Sequence, residues 1–400
     1  LADRNVVIFG AGKIGRSFIG QLFGRHDYGL VFVEKEQSLV LKLNRYGKYA
    51  VIIKGPGSEE RLTIERVSAI HSDDVEQVKR AICQAGIMAV SVGKNALASI
   101  APVISAGLLR RDKESPGKVL DIILAENMRS AAPYFRELLR KILPESYPLD
   151  DRVGLVETSI GKMVPLMTEL DLNEDPLQVF AEPYNTLILD RGGFRGEIPK
   201  IPEFSLKDHM GAWVDRKAFI HNLGHATAAY AGHLKHPDAV YMYEVLDDPE
   251  IVKFTRQVML ESAAVLAVVY PDEFTTSELE EHVDDLLLRF RNRKLGDTVF
   301  RVGSDLRRKL GEGDRFMGII RMAQQAGRPY GTILEAMSMG FCFRARDEQG
   351  KAFPGDEELL GEWNRDPISV LRTVCGLEPG NDQWLMGQLR EQFKMNRPNR

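Results

Sequence analysis

The sequence predicts an α/β domain built on a doubly wound parallel sheet, followed by a second domain that is mostly α-helical. Three observations carry this expectation. Through about residue 158, short apolar runs at 6–9, 30–33, 87–92, 119–124 and 153–158 alternate with amphipathic stretches. That alternation implies parallel strands with helices on both faces of the sheet, and ligands at the carboxyl ends of the strands. From about Leu206 helical spacing takes over, with amphipathic patterns at 212–234, 250–269, 276–291 and 330–343. Between them, 160–205 is rich in breakers, among them Gly192, Gly193, Gly196 and several prolines, with 179–190 the stretch most suited to extended chain. The expected domains are therefore 1–205 and 206–400. An insertion at 49–70 reads as extra strand, 49–53 and 62–64 being separated by Gly55, Pro56 and Gly57.

Composition narrows the class of protein. The chain has 400 residues, 44% hydrophobic and 28% charged, enough for two domains with cores of ordinary size. A formal net charge of −4 gives no general attraction to nucleic acid or anionic lipid, so an anionic ligand needs a local basic pocket. No apolar run approaches membrane-spanning length, and the first strand pattern starts at Val6, leaving no room for a signal peptide. Cys83, Cys342 and Cys375 are odd in number and widely spaced, which suits reduced thiols. A cytoplasmic protein is expected.

The first apolar run feeds Gly10-Ala-Gly12-Lys13-Ile14-Gly15 and then a helix-like pattern. In a Rossmann-type domain the first glycine permits the tight turn, the second lets backbone approach a pyrophosphate, and the third lets helix pack on strand. The second run ends in Glu34, the carboxylate expected about 20 residues on to bind the ribose hydroxyls of NAD and to repel the 2′-phosphate of NADP. The loop Ser91-Val92-Gly93-Lys94-Asn95 follows another strand and is expected near the cofactor. A glycine turn that binds nothing is the plain alternative.

In the helical half, Lys217, Asn222 and His225 share one segment. At about 100° per residue they fall within an arc of roughly 140° and about 12 Å of axis. A buried amine can act as a general base near neutral pH, while an amide and an imidazole hydrogen-bond the reacting oxygen, which suits oxidation of an alcohol without a metal. A capped polar helix end explains the same residues. Asn127, just after the fourth run, is expected to project from a strand end toward the crevice, as a second polarising amide or as the cap of the next helix. His221, His225, His233 and His236 crowd together, and the i, i+4 pair His221 and His225 suits zinc, although no glutamate follows His221. Basic residues gather at Arg289, Arg291, Arg293 and Lys294, and again at Arg301, Arg307, Arg308, Lys309 and Arg315. Arg301, Arg308, Lys309 and Arg315 are candidates for gripping a substrate phosphate, with solvated helix faces the alternative.

Four segments together resemble the polyol-specific long-chain dehydrogenases: Gly10 to Gly20, Ala125-Glu126-Asn127-Met128, Arg216 to Ala226 with its Lys-x₄-Asn-x₂-His spacing, and Arg308 to Arg315. The resemblance covers nearly the whole chain. It implies a dinucleotide-binding domain plus a helical one, zinc-independent catalysis, and hydride passing between NAD and C5 of a phosphorylated polyol, as in the pair mannitol 1-phosphate and fructose 6-phosphate. Lys217 would be the general base, Asn127 and Asn222 the polarising amides, His225 a substrate-oxygen ligand and Glu34 the ribose-binding acid. Other members act on free mannitol, fructuronate or tagaturonate. Where the family shows Asp-Arg-Ile-Val-Pro-Pro, this chain reads Gly161-Lys162-Met163-Val164-Pro165-Leu166, losing an acid that would accept from sugar hydroxyls or pair with the lysine. A zinc enzyme using the histidines and a dinucleotide sensor without turnover are the rival classes.

Overall fold

The computed structural model describes residues 4–396. Its contacts divide the chain into two units, 1–214 and 215–400.

The first unit is organised by β1 (Asn5–Phe9), whose apolar run is buried on both faces. It lies between β2 (Gly29–Glu34) and a strand further along the chain, with two small-sheet strands, β3 (Tyr49–Lys54) and β4 (Glu59–Ile64), and an edge strand, β5 (Val67–His71), intervening in sequence. That further strand is β6 (Ile87–Val90), and Ile8 is in register with Phe32 on one side and Ala89 on the other. The sheet continues in parallel through β7 (Leu120–Leu124) to β8 (Val153–Ser159). Alternation along β1 sends Val6 and Ile8 into one core, with Phe18, Leu22 and Phe32, and Val7 and Phe9 into the other, with Val78, Ile82 and Phe135. Each such side chain contributes about 1.5–3 kcal/mol by leaving water, which is why β1 has no polar face.

Three features depart from the expected parallel sheet. β5 was absent from the apolar-run pattern because the exposed Ser68 interrupts it, yet it pairs in parallel with β2. The breaker-rich stretch holds three strands: β9 (Val179–Ala181), β10 (Leu187–Asp190) and β11 (Phe204–Lys207). β10 runs antiparallel to β8 and carries β11, so the eight-stranded sheet ends in a reversed pair, in the order β11-β10-β8-β7-β6-β1-β2-β5. β9 joins the expected β3–β4 hairpin to make a separate three-stranded sheet.

The second unit is helical as expected, and its long helices start where side chains satisfy orphan amides. Asp248 caps Pro249–Val269, and Thr275 and Glu278 form a capping box at Thr276–Phe290. Among the described residues no helix is long and apolar enough to cross a membrane.

Each unit contains a π-turn with a visible cause. At Gly15–Gly20, the Tyr49 hydroxyl donates to the Arg16 carbonyl at 2.8 Å, taking an acceptor from the helical ladder. Gly20 makes room for it, since a Cβ there would stand 2.3 Å from that hydroxyl oxygen. At Lys217–Asn222, Ser262 in the packed helix Pro249–Val269 donates to the Phe219 carbonyl at 2.5 Å. Tyr49→Phe removes the donor from a buried carbonyl and is expected to cost about 1–3 kcal/mol. The expected result in urea unfolding is a lower midpoint with an unchanged slope.

Candidate active site

The carboxyl ends of β1, β2, β6 and β7 carry the residues singled out in the first unit. Gly10 has φ +91°, and a Cβ on it would lie 2.6 Å from the Ser91 carbonyl oxygen, so the turn accepts no other residue without strain. A Cβ on Gly15 would come within 2.0 Å of the Gly10 carbonyl oxygen. One on Gly12 would meet nothing within 4 Å, leaving the backbone there open to a ligand. Lys13 and Ile14 are the first helical residues after it. Glu34 closes this loop, its Oε2 accepting from the Ala11 amide at 2.8 Å and its Oε1 from the amides of Lys35 at 2.8 Å and Glu36 at 3.1 Å.

Gly93, with φ +86°, is held by a residue that the sequence pattern did not single out. Glu126 Oε1 accepts from the amides of Val92 at 2.8 Å and Gly93 at 3.0 Å, and burial raises the Glu126 carboxyl above its ordinary range. Its neighbour Asn127 is exposed in the loop after β7. Asn127 does not cap the next helix: Ser130 precedes Ala131–Arg140, and Glu157 takes the Ala131 amide at 2.5 Å. Lys162 is buried within the first unit, where its amine donates to Asn185 Oδ1 at 2.8 Å and Gln21 Oε1 at 3.2 Å beside the Phe18 ring. Its amine tethers the 160–166 segment to the first helix.

In the second unit the π-turn changes the geometry expected of an unbroken α-helix. With i→i+5 closure, Lys217 and Asn222 stack along one face instead of standing roughly 140° apart. His225 follows in helix Leu223–Lys235. Burial pushes the Lys217 amine down to about 8, and the charge of Arg315 adds to the shift. Arg315 is fixed by its neighbours, Nε donating to Asp314 Oδ1 at 2.7 Å and Nη1 to the Asn222 carbonyl at 3.2 Å. His225 is held well below the ordinary imidazole range by burial first, then by the charges of Arg301, Lys309, Arg315 and Arg289.

The other three cations expected to hold phosphate have protein partners. Arg308 is exposed and bonded to Asp305 at 2.5 Å, with Asp314 at 3.5 Å. Lys309 is buried, its amine donating to the carbonyls of Val302, at 2.6 Å, and Ser304, and burial pushes it down to about 7. Arg301 pairs with Asp297, a buried acid that sequence reasoning missed because nothing in the local pattern marks it. His221 and His225 have ring centroids 6.3 Å apart, and both pack against Phe290. His233 packs on Phe343, and His236 bonds Asp248 at 2.8 Å. Among the described residues no three of His, Cys, Asp or Glu group as a metal site would require.

Two family models match the chain in succession, the mannitol dehydrogenase Rossmann domain over residues 4–203 and the mannitol dehydrogenase C-terminal domain over 209–370. The chain belongs to the mannitol dehydrogenase family of oxidoreductases. Among its relatives, mannitol-1-phosphate 5-dehydrogenase of Bacillus subtilis is 31% identical over 373 residues, 92% of this chain and 95% of that protein. The enzyme of the same name from Buchnera aphidicola is 30% identical over 342 residues, 85% and 86% of the two chains. The fold is shared with Pseudomonas fluorescens mannitol 2-dehydrogenase, solved as a ternary complex with NAD and D-mannitol, at TM-score 0.75 and 14% identity, covering 98% of this chain and 91% of that one. It is also shared with a D-sorbitol dehydrogenase in substrate-free form, at TM-score 0.76 and 16% identity, covering 99% and 94%.

Because Arg315 disfavours the Lys217 ammonium, Arg315→Met is expected to raise the titration midpoint of Lys217 above about 8. The check is the pH dependence of acylation of Lys217, followed by peptide mass spectrometry in both proteins.

Proposed function

We propose that this chain is an NAD-dependent oxidoreductase that interconverts mannitol 1-phosphate and fructose 6-phosphate by hydride transfer, with Lys217 as general base. The observation that carries the proposal is the Lys217 amine, held at about 8 on the segment that also bears Asn222 and His225. An ordinary lysine is almost wholly protonated at neutral pH, whereas this one retains a usable fraction of free amine. Relatives at 30% and 31% identity that carry the mannitol-1-phosphate 5-dehydrogenase name support the phosphorylated substrate.

The first unit has the features that NAD requires. The open backbone at Gly12 and the helix that follows suit a pyrophosphate, and Glu34 has acceptor capacity beyond its three amide bonds for a ribose hydroxyl. Gly10, Lys13, Ile14, Gly15 and Gly93 shape the same strand ends. Bound NAD supplies the hydride acceptor. For the chain's own part, Lys217 takes the proton of the substrate hydroxyl, Asn222 donates to the oxygen as it becomes a carbonyl, His225 holds a substrate oxygen, and Asn127 is retained as the second polarising amide. This proton chemistry needs no metal ion, so turnover is expected to survive chelation.

Arg315 is our choice for the substrate phosphate. All four cations have protein partners, but Arg315 is buried, donates to the carbonyl of Asn222 and acts on the charge of Lys217, whereas Arg308 is exposed and Lys309 is taken up by two carbonyls. A guanidinium also holds a carboxylate in bidentate fashion, which keeps a hexuronate as the second substrate class.

Lys217→Ala is expected to lower turnover by a factor of about 10² to 10⁴ while NADH binding, read by fluorescence titration, stays nearly unchanged. The pH profile should have opposite slopes in the two directions. Polyol oxidation needs the free amine and should fall about tenfold per pH unit below about 8. Ketose reduction needs the ammonium as proton donor and should fall above that value.

Substrate identity is decided by kcat/KM measured with NADH for fructose 6-phosphate, fructose, fructuronate and tagaturonate. Fructose 6-phosphate is expected to lead, and Arg315→Met to lower its lead over fructose. Preference for an unphosphorylated compound would replace the substrate while leaving the hydride chemistry in place.

A further inference from the structure

The His225 ring is constrained in both plane and direction. Phe290, the last residue of helix Thr276–Phe290, stacks on it with centroids 4.4 Å apart and planes 7° from parallel. The Nε2 atom is buried and has no hydrogen-bond partner among the described residues. Facing it at 3.6 Å is Oδ2 of Asp297, a carboxylate that is only 4% exposed. The other oxygen of Asp297 is engaged by Arg301, so the carboxylate is held from the far side and presents one oxygen to the imidazole.

A buried carboxylate oxygen opposite a ring nitrogen favours the tautomer that places the hydrogen on that nitrogen. The remaining nitrogen then keeps its lone pair. A second proton is disfavoured, first by burial and then by the charges of Arg301, Lys309, Arg315 and Arg289. Asp297 offsets little of this because Arg301 already balances its charge. The 3.6 Å separation is longer than a hydrogen bond, and catalytic contacts of this sort commonly shorten when substrate binds.

We propose that Asp297 is a positioning residue that sets His225 as the Nε2–H tautomer, leaving Nδ1 as a hydrogen-bond acceptor that reads a hydroxyl of the substrate. The inference rests on the reading of this site as the one that binds a polyol. It divides the labour between the neighbouring side chains. An imidazole of this tautomer has no hydrogen at Nδ1 to give to a developing oxyanion, so that oxygen falls to the polarising amides and the Lys217 ammonium. His225 accepts instead from a hydroxyl next to the reacting carbon, since positions 222 and 225 are i, i+3 neighbours about 5–6 Å apart on the helix. A substrate with two adjacent hydroxyls satisfies both residues, whereas a simple secondary alcohol leaves Nδ1 unmatched.

The test reads the tautomer directly. Protein labelled with ¹⁵N-histidine contains eight histidines, and the His225 signals are those lost in His225→Gln. Near neutral pH, without substrate or cofactor, His225 is expected to show a protonated Nε2 and an unprotonated Nδ1. The opposite pattern would overturn the proposal. Asp297→Asn should give a mixture of tautomers and lower kcat for polyol oxidation by about 10–100-fold, with partial recovery in Asp297→Glu. A tautomer unchanged in Asp297→Asn would show that Asp297 serves only to anchor Arg301, and would equally overturn it. If Asp297→Asn does not fold, the tautomer of the unmodified protein decides. Because that measurement needs no turnover, its failure is distinguishable from failure of the reaction reading, which Lys217→Ala tests.

Discussion

The amine of Lys217 is partly withdrawn from water and within reach of the charge of Arg315, and the elements around it in the second unit anchor both residues. Removing a cation from water beside another cation is unfavourable, and the result is an amine pushed down to about 8. The arrangement persists because both partners are anchored elsewhere. Arg315 is pinned by Asp314 and by the carbonyl of Asn222, and Lys217 belongs to a turn closed by the Ser262 hydroxyl. The residue that shifts Lys217 is thus bonded to the main chain of a second candidate catalytic residue, which links the electrostatics of the site to its geometry.

The two π-turns follow one local rule in different settings. In each, a hydroxyl from a packed element donates to a helical carbonyl, and the ladder widens by one residue around it. In the first unit this seats the helix that follows the glycine loop. In the second it aligns Lys217 with Asn222. A helix of uniform pitch would present the same side chains at different angles, so the hydroxyl donors Tyr49 and Ser262 act on the site from outside it.

Most of the architecture was legible from the chain, and the parts that were not share a physical origin. The runs that became β1, β2, β6, β7 and β8 are apolar on both faces because helices cover both sides of the sheet, and such runs stand out in sequence. β5, β10 and β11 are short, and although β10 falls within the stretch expected to be extended, the places of all three in the sheet come from their partner strands. The glycines at 10, 12 and 15 and the triplet Lys217, Asn222 and His225 were legible as residue types at set spacings. The π-turns were not, because their donors lie 33 and 43 residues from the carbonyls that they occupy. The roles of Glu126, inside a segment already singled out, and of Asp297 escaped for the same reason: an acid in a sequence looks alike whether it faces water or a buried amide or imidazole. Lys162 is the converse case, a departure from the family pattern whose amine is held by Gln21 and Asn185 within one unit.

Glu34 has a consequence for the order in which binding and folding occur. Its carboxylate ties the Ala11 amide of the glycine loop to the end of β2, and the same group holds the next two amides of its own strand end. The bonds that shape the loop are therefore made by the chain's own groups. A ligand entering a preorganised groove does not have to supply the entropy of arranging it, so more of the contact energy appears as affinity. The same preorganisation predicts a rigid-body encounter at this end of the sheet, with association limited by diffusion and orientation instead of by loop closure.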